Sequence, residues 1–102
     1  MLLLAGAGII PVTLGLPPAA ADPSEQELDR LANRYASTTC AQLAQIPGQQ
    51  GVYAAIADVM DRSAIARSAA ERVVLLASQA SCPQYQSTVK EFVSPAALEP
   101  AD

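Results

Sequence analysis

The 102-residue chain contains no histidine and no tryptophan, and its aromatic side chains are three tyrosines and one phenylalanine. Without imidazole, most nucleophilic and general-base arrangements are removed, and only a carboxylate or a lysine is left to stand in. The two cysteines have no nitrogen partner with which to complete a zinc site, so no metal or other cofactor is expected. Basic residues are few and scattered: Arg30, Arg34, Arg62, Arg67, Arg72 and Lys90, against ten acidic ones, for a formal charge of −4. Binding to nucleic acid or anionic lipid needs clustered Lys and Arg, so neither is expected as a partner. Gly48 and Gly51 do not form a phosphate-binding loop, having neither a following Lys-Ser/Thr pair nor a preceding strand. Internal repeats and a heptad run long enough for a coiled coil are also missing. The core must therefore be built from Leu, Val, Ile and many alanines, an inventory that suits close helix packing better than a sheet.

Residues 1–21 carry no charged side chain. The stretch 2–16 is apolar, and Ala19-Ala20-Ala21 before Asp22 fits the small-x-small rule for signal peptidase, which places cleavage after Ala21. Pro11, Pro17 and Pro18, with Gly6, Gly8 and Gly15, would interrupt a spanning helix, and the segment barely reaches the ~20 apolar residues that a span requires. No stable membrane insertion is expected after cleavage. Met1-Leu2-Leu3-Leu4 lacks the Lys or Arg that opens such a segment, which points to a start upstream of Met1. There is no twin arginine, and no cysteine sits near the cleavage site to carry a lipid. The mature chain of about 80 residues lies near the lower limit for a self-sufficient core, and a domain of that size gains from a covalent staple.

Residues 22–95 read as one all-α domain, a small bundle of about four helices. Asp22-Pro23-Ser24-Glu25-Gln26-Glu27 is a helix start in either of two ways: Asp22 caps with Pro23 at the first helical position, or Ser24 caps with Glu27 as a capping box. Leu28, Leu31, Ala32, Tyr35, Ala36, Thr39, Cys40 and Leu43 then recur at helical spacing, and Ile46-Pro47-Gly48 ends the helix. After a loop over 48–51, Val52, Ala55, Ile56, Val59 and Met60 make a second stripe that runs to about Asp61. Ser68-Ala69-Ala70-Glu71 looks like a second capping box, directly preceding the region of Val73-Val74-Leu75-Leu76-Ala77. That apolar run could be a buried strand, but the cap, the flanking alanines and the length to Ser81 favour a helix covered on most of its circumference. Pro83 can start a last helix with Tyr85, Thr88, Val89 and Phe92 on one side, closed by Ser94-Pro95. The Ala-, Pro- and acid-rich remainder, 96–102, is expected to be disordered.

Three groups of residues invite a functional reading. Cys40 and Cys82 are an even pair in a chain with an export signal, the setting in which cysteines form a disulfide. Asp58 and Asp61 share one helix face, where paired acids could exchange protons or hold a hard cation. With Arg62 beside them, a solvated surface is the expected reading. Tyr35, Tyr53 and Tyr85 could line an aromatic or haem pocket. Tyr35 and Tyr85 fall on core faces, whereas Tyr53 sits off its stripe and is the tyrosine to mutate first.

The Ala-x-Ala ending followed by Asp22-Pro23, then Thr39-Cys40-Ala41-Gln42-Leu43, roughly forty intervening residues, an alanine-rich helix and Cys82-Pro83 together resemble the small exported mycobacterial proteins grouped as domain of unknown function 732. The resemblance covers residues 21–85. Ser81 stands where an aromatic residue commonly precedes the second cysteine of that family. The resemblance implies a disulfide-linked helical bundle in the cell envelope or the medium, and it carries no activity over. The chain is therefore expected to be a non-enzymatic exported module that binds a protein or a cell-wall component through a helix face. The alternative is a carrier of a small apolar ligand, a lipid or a cofactor, in a cleft between helices.

Overall fold

A computed structural model describes residues 22–101. The signal-peptide reading of 1–21 and the last residue of the expected tail, Asp102, lie outside the described residues. The rest is all-α: α1 (Glu25–Gln45), α2 (Gln49–Ser63), α3 (Arg67–Ser81) and α4 (Gln86–Phe92), with short 3-10 turns at Pro83–Tyr85 and Pro95–Leu98.

Of the two possible starts for α1, the structure takes the second. Ser24 is the cap, and its hydroxyl oxygen accepts a hydrogen bond from the Glu27 amide at 3.1 Å. Only half of the box forms, because the Glu27 carboxylate turns to Arg30 instead of returning to the cap. Glu25 and Glu27 in the first turn suit the positive end of the helix dipole. Ser24→Ala is expected to cost about 1 kcal/mol, seen as a fall in Tm of about 4–8 °C in a thermal melt.

The apolar stripes fall where the spacing predicts. Leu28, Leu31, Ala32, Thr39 and Leu43 of α1 are buried, as are Val52, Ala55, Ile56 and Val59 of α2. The connection between these helices is shorter than the expected 48–51 loop: α2 begins at Gln49, so Gly51 belongs to its first turn. Gly51 is there because of space. A Cβ at this position would lie 1.8 Å from the Ile46 carbonyl oxygen. Gly48 serves conformation instead: its φ of 78° and ψ of −151° are open almost only to glycine, and nothing lies within 4 Å of a Cβ built there. At the far end α2 runs to Ser63, beyond the expected Asp61. Ala64 then adopts the left-handed conformation at φ 54°, at a cost of about 1 kcal/mol, and its amide donates to the Met60 carbonyl at 2.8 Å.

Helix α3 is the centre of the bundle and packs against α1, α2, α4 and both 3-10 turns. This explains its composition. Ala70, Val73, Val74, Leu75 and Ala77 are all buried, which covers the helix on most of its circumference and rules out the strand reading. The buried hydroxyl of Ser78 on this helix donates to the Leu75 carbonyl at 2.8 Å and so is itself paired. The predicted capping box at Ser68 is not formed. Helix α3 starts two residues earlier than that cap would place it, at Arg67 after Ala66, without a side-chain cap, and Glu71 is engaged elsewhere.

The Cys82 amide closes α3 by donating to the Ser78 carbonyl, and Pro83 opens the turn into α4. Helix α4 is short but anchored, since Val89 is fully buried, which is worth roughly 1.5–3 kcal/mol. The expectation of a disordered tail from residue 96 is overturned. Pro95–Leu98 form a helical turn that packs on α3, Ala97 is buried, and the chain stays placed to Ala101. Composition alone missed this because the tail is held by polar ties to distant side chains and has no apolar periodicity of its own.

Candidate functional site

Cys40 and Cys82 are joined as a disulfide with Cα atoms 6.0 Å apart, spanning 42 residues. Cys82 is buried and Cys40 half-buried against the core, so the bond ties the C-terminal third of α1 to the corner where α3 hands over to the next turn. Its place is that of a clamp.

Asp58 and Asp61 do not combine into a site. Asp58 accepts a hydrogen bond from the Arg62 Nε at 2.9 Å one helical turn on, and Asp61 is exposed. The carboxylate beside it holds the Arg62 guanidinium above its ordinary pKa. Water screens exposed pairs of this kind so that they add little to stability, and the solvated-face reading stands.

The tyrosines separate as their stripe positions suggest. Tyr35 and Tyr85 are half-buried against the core, whereas Tyr53, at 41% exposure, is among the most exposed large apolar side chains. Tyr53 has partners that the sequence does not reveal. Its ring meets Phe92 of α4 edge to face, with centroids 6.4 Å apart and planes at 76°, and the Arg67 guanidinium lies over it at 5.2 Å from the centroid. The Gln49 amide donates to its hydroxyl at 3.0 Å. Three helices thus place an aromatic pair and a guanidinium in one surface platform, and fixed rings with arginine are the side chains that most often anchor protein interfaces.

The platform continues into a polar chain. Arg67 Nε donates to Glu71 at 3.1 Å, and the other Glu71 oxygen accepts from the amide of Ser94 at 3.1 Å and from its hydroxyl at 2.7 Å. Glu71 is buried, and these bonds account for a carboxylate that would otherwise be expensive to bury. At the next position of α3, Arg72 makes a forked ion pair with Glu25 of α1, Nη2 to Oε2 at 2.7 Å, and donates from Nη1 to the Ala97 carbonyl at 3.3 Å. The Ala101 amide donates to the same Glu25 at 2.9 Å. The hydrogen bond from Arg72 is the main reason the Glu25 carboxyl sits below its ordinary pKa, with the Ala101 amide assisting and partial burial opposing. Beside this pair lies a cleft of about 150 Å³, lined by Asp22, Pro23, Leu28, Ala69, Arg72 and Glu99 among others.

Sequence reading identified the disulfide and the exposed tyrosine. It missed Glu71 as a receptor for the tail and the Glu25–Arg72 pair. The only local signal for either was a charged residue on an otherwise apolar helix face. Among the described residues no helix is long and apolar enough to cross a membrane. No protein-family model, curated protein or solved structure matches this chain.

Proposed function

We propose that the chain is a small exported, non-enzymatic interaction module of the kind implied by its resemblance to the domain of unknown function 732 proteins. In this reading the Tyr53, Phe92 and Arg67 platform is the contact surface for a protein or cell-wall partner. The observation that carries it is the exposed tyrosine, held rigid by an edge-to-face ring, an overlying guanidinium and a hydroxyl bond. An exposed side chain in a surface loop could adopt many rotamers, and binding would have to order it. Tyr53 is already ordered, which lowers that cost. The carrier reading has less support: the cleft of about 150 Å³ is well below the ~300–1,000 Å³ of small-molecule pockets. The interior on the other side of α3 is filled, with Val52, Ile56, Val59, Val73 and Val74 all fully buried.

The test is site-specific photo-crosslinking on cells that export the protein, with the crosslinker at Ala57, exposed one turn after Tyr53 on α2, or at Gln79, an exposed residue near the far end of α3. A discrete adduct from position 57 that is absent from position 79 and lost with Tyr53→Ala is the expected result. Tyr53→Ala should leave the domain folded, costing about 1 kcal/mol through the lost ring and guanidinium contacts, so loss of the adduct would report on contact and not on collapse. An adduct that survives Tyr53→Ala unchanged would overturn the platform assignment. Native mass spectrometry of the exported chain checks the remainder. A chain beginning at Asp22, two hydrogens lighter than its reduced mass, is expected, and a bound lipid or cofactor would favour the carrier.

A further inference from the structure

Among the described residues, the C-terminal segment, residues 94–101, is attached differently from the helices. Helices α1 to α4 are joined mainly by apolar side chains, to which the disulfide and the Glu25–Arg72 ion pair are added. The tail buries only Ala97, and its one large apolar residue, Leu98, is 43% exposed. What holds it is a row of charged side chains on the bundle: Glu71 takes the amide and hydroxyl of Ser94, Arg72 takes the Ala97 carbonyl, and Glu25 takes the Ala101 amide. The two carboxylates come from different helices and grip the two ends of the segment. Arg72 spans the gap between Glu25 and the middle of the tail.

We infer that residues 94–101 form an acid-released strap, which lies closed over the α1 and α3 cleft when Glu25 is ionised and opens when it is neutralised. Hydrogen bonds to an ionised carboxylate are roughly twice as strong as those between neutral groups, so protonation of Glu25 weakens its tie to the Ala101 amide. Protonation of Glu25 also removes the partner that orients Arg72 toward Ala97. The other charged groups facing this region are Asp22 from the segment before α1 and Glu99 from the tail, both lining the cleft, and Arg67, which faces Glu71 from within α3 itself. The core has no such dependence, being held by buried Val, Leu and Ile and by the disulfide. Opening would expose Leu28 and Ala69 and leave the Arg72 guanidinium free at the mouth of the cleft. The direction in pH follows from Glu25, whose pKa is depressed in the folded chain. Its contribution is complete above the ordinary glutamate value of about 4.3 and is lost as pH falls through the lower, folded value. The strap does not depend on Tyr53 binding a partner.

The experiment is backbone 15N relaxation on the full mature chain, titrated from about pH 7 to about pH 2, with Glu25→Gln alongside. Order parameters of Ala97, Leu98 and Ala101 are expected above ~0.8 at neutral pH and below ~0.6 in acid, while those of Val74 and Val89 stay high. Glu25→Gln should show a loosened Ala101 at neutral pH, with the helices unchanged. A tail that keeps its order in acid while the helices are folded would overturn the inference. So would a tail and core that lose order at one common pH, or a Glu25→Gln chain whose tail is as rigid as the wild type at neutral pH.

Discussion

Gly51→Ala is expected to be among the most damaging single substitutions in this domain, costing about 3 kcal/mol or more. The added methyl would lie 1.8 Å from the Ile46 carbonyl oxygen, 3.0 Å from its carbon and 3.3 Å from the Gln42 carbonyl oxygen. All three are backbone atoms, so no side chain can swing aside, and relief must come from moving the end of α1 away from the start of α2. The same movement would shift Val52, Ala55 and Ile56, the fully buried residues that follow in α2. Gly48→Ala makes the comparison, because it meets open space and costs only the strain of its backbone, about 1–3 kcal/mol. Urea denaturation of the two variants should therefore rank Gly51→Ala below Gly48→Ala, with both below the wild type. Equal midpoints, or a Gly51→Ala chain as stable as the parent, would mean that the two helices do not meet as closely as described.

The same glycine shows where sequence stops being legible. Read along the chain, Gly48-Gln49-Gln50-Gly51 is a loop, since two glycines three residues apart carry a turn signal and no apolar stripe. What makes Gly51 necessary inside a helix is a carbonyl five residues upstream, and that proximity exists only after α1 and α2 have packed. The stripes themselves were legible because helical spacing is a local property: α1 from Leu28 to Leu43, α2 from Val52 to Val59 and α3 around Val73 bury most of the residues that the spacing predicts, with Tyr35, Ala36, Cys40 and Leu76 half-buried against the core. Glu71 departs from its local pattern for the converse reason. Ser68 and Glu71 have the spacing of a capping box, which would satisfy single backbone amides, but Ser94 offers the carboxylate two donors from 23 residues away. Tyr53 could be singled out as off-stripe. Its ring and guanidinium partners could not, because Phe92 and Arg67 reach it from other helices. The fold was thus readable from periodicity, while the candidate site depends on tertiary pairings that no local pattern encodes.

Replacing Cys40 and Cys82 together by alanine is expected to destabilise the domain by about 4 kcal/mol, the loop-closure value for a bond that spans 42 residues. Alanine is the right replacement because Cys82 is buried, and a serine hydroxyl there would add the cost of an unpaired polar group to the effect being measured. The figure is large for this chain. A domain of about 80 residues has a total stability of roughly 4–12 kcal/mol, so the staple amounts to between a third and the whole of it. With an m-value near ~1 kcal/mol/M, the urea midpoint should fall by about 4 M, enough to leave a marginal wild type largely unfolded without denaturant. Adding reductant to the unmodified protein should give the same shift, which separates the bond from any packing change caused by the substitutions. The size of the shift also bears on compartment. A bundle that depends on its disulfide is well folded only where disulfides persist, outside the reducing cytosol, and this is the physical requirement that export after Ala21 would meet. If the double variant and the reduced wild type both lose less than about 1 kcal/mol, packing alone sustains the fold and the disulfide no longer supports export.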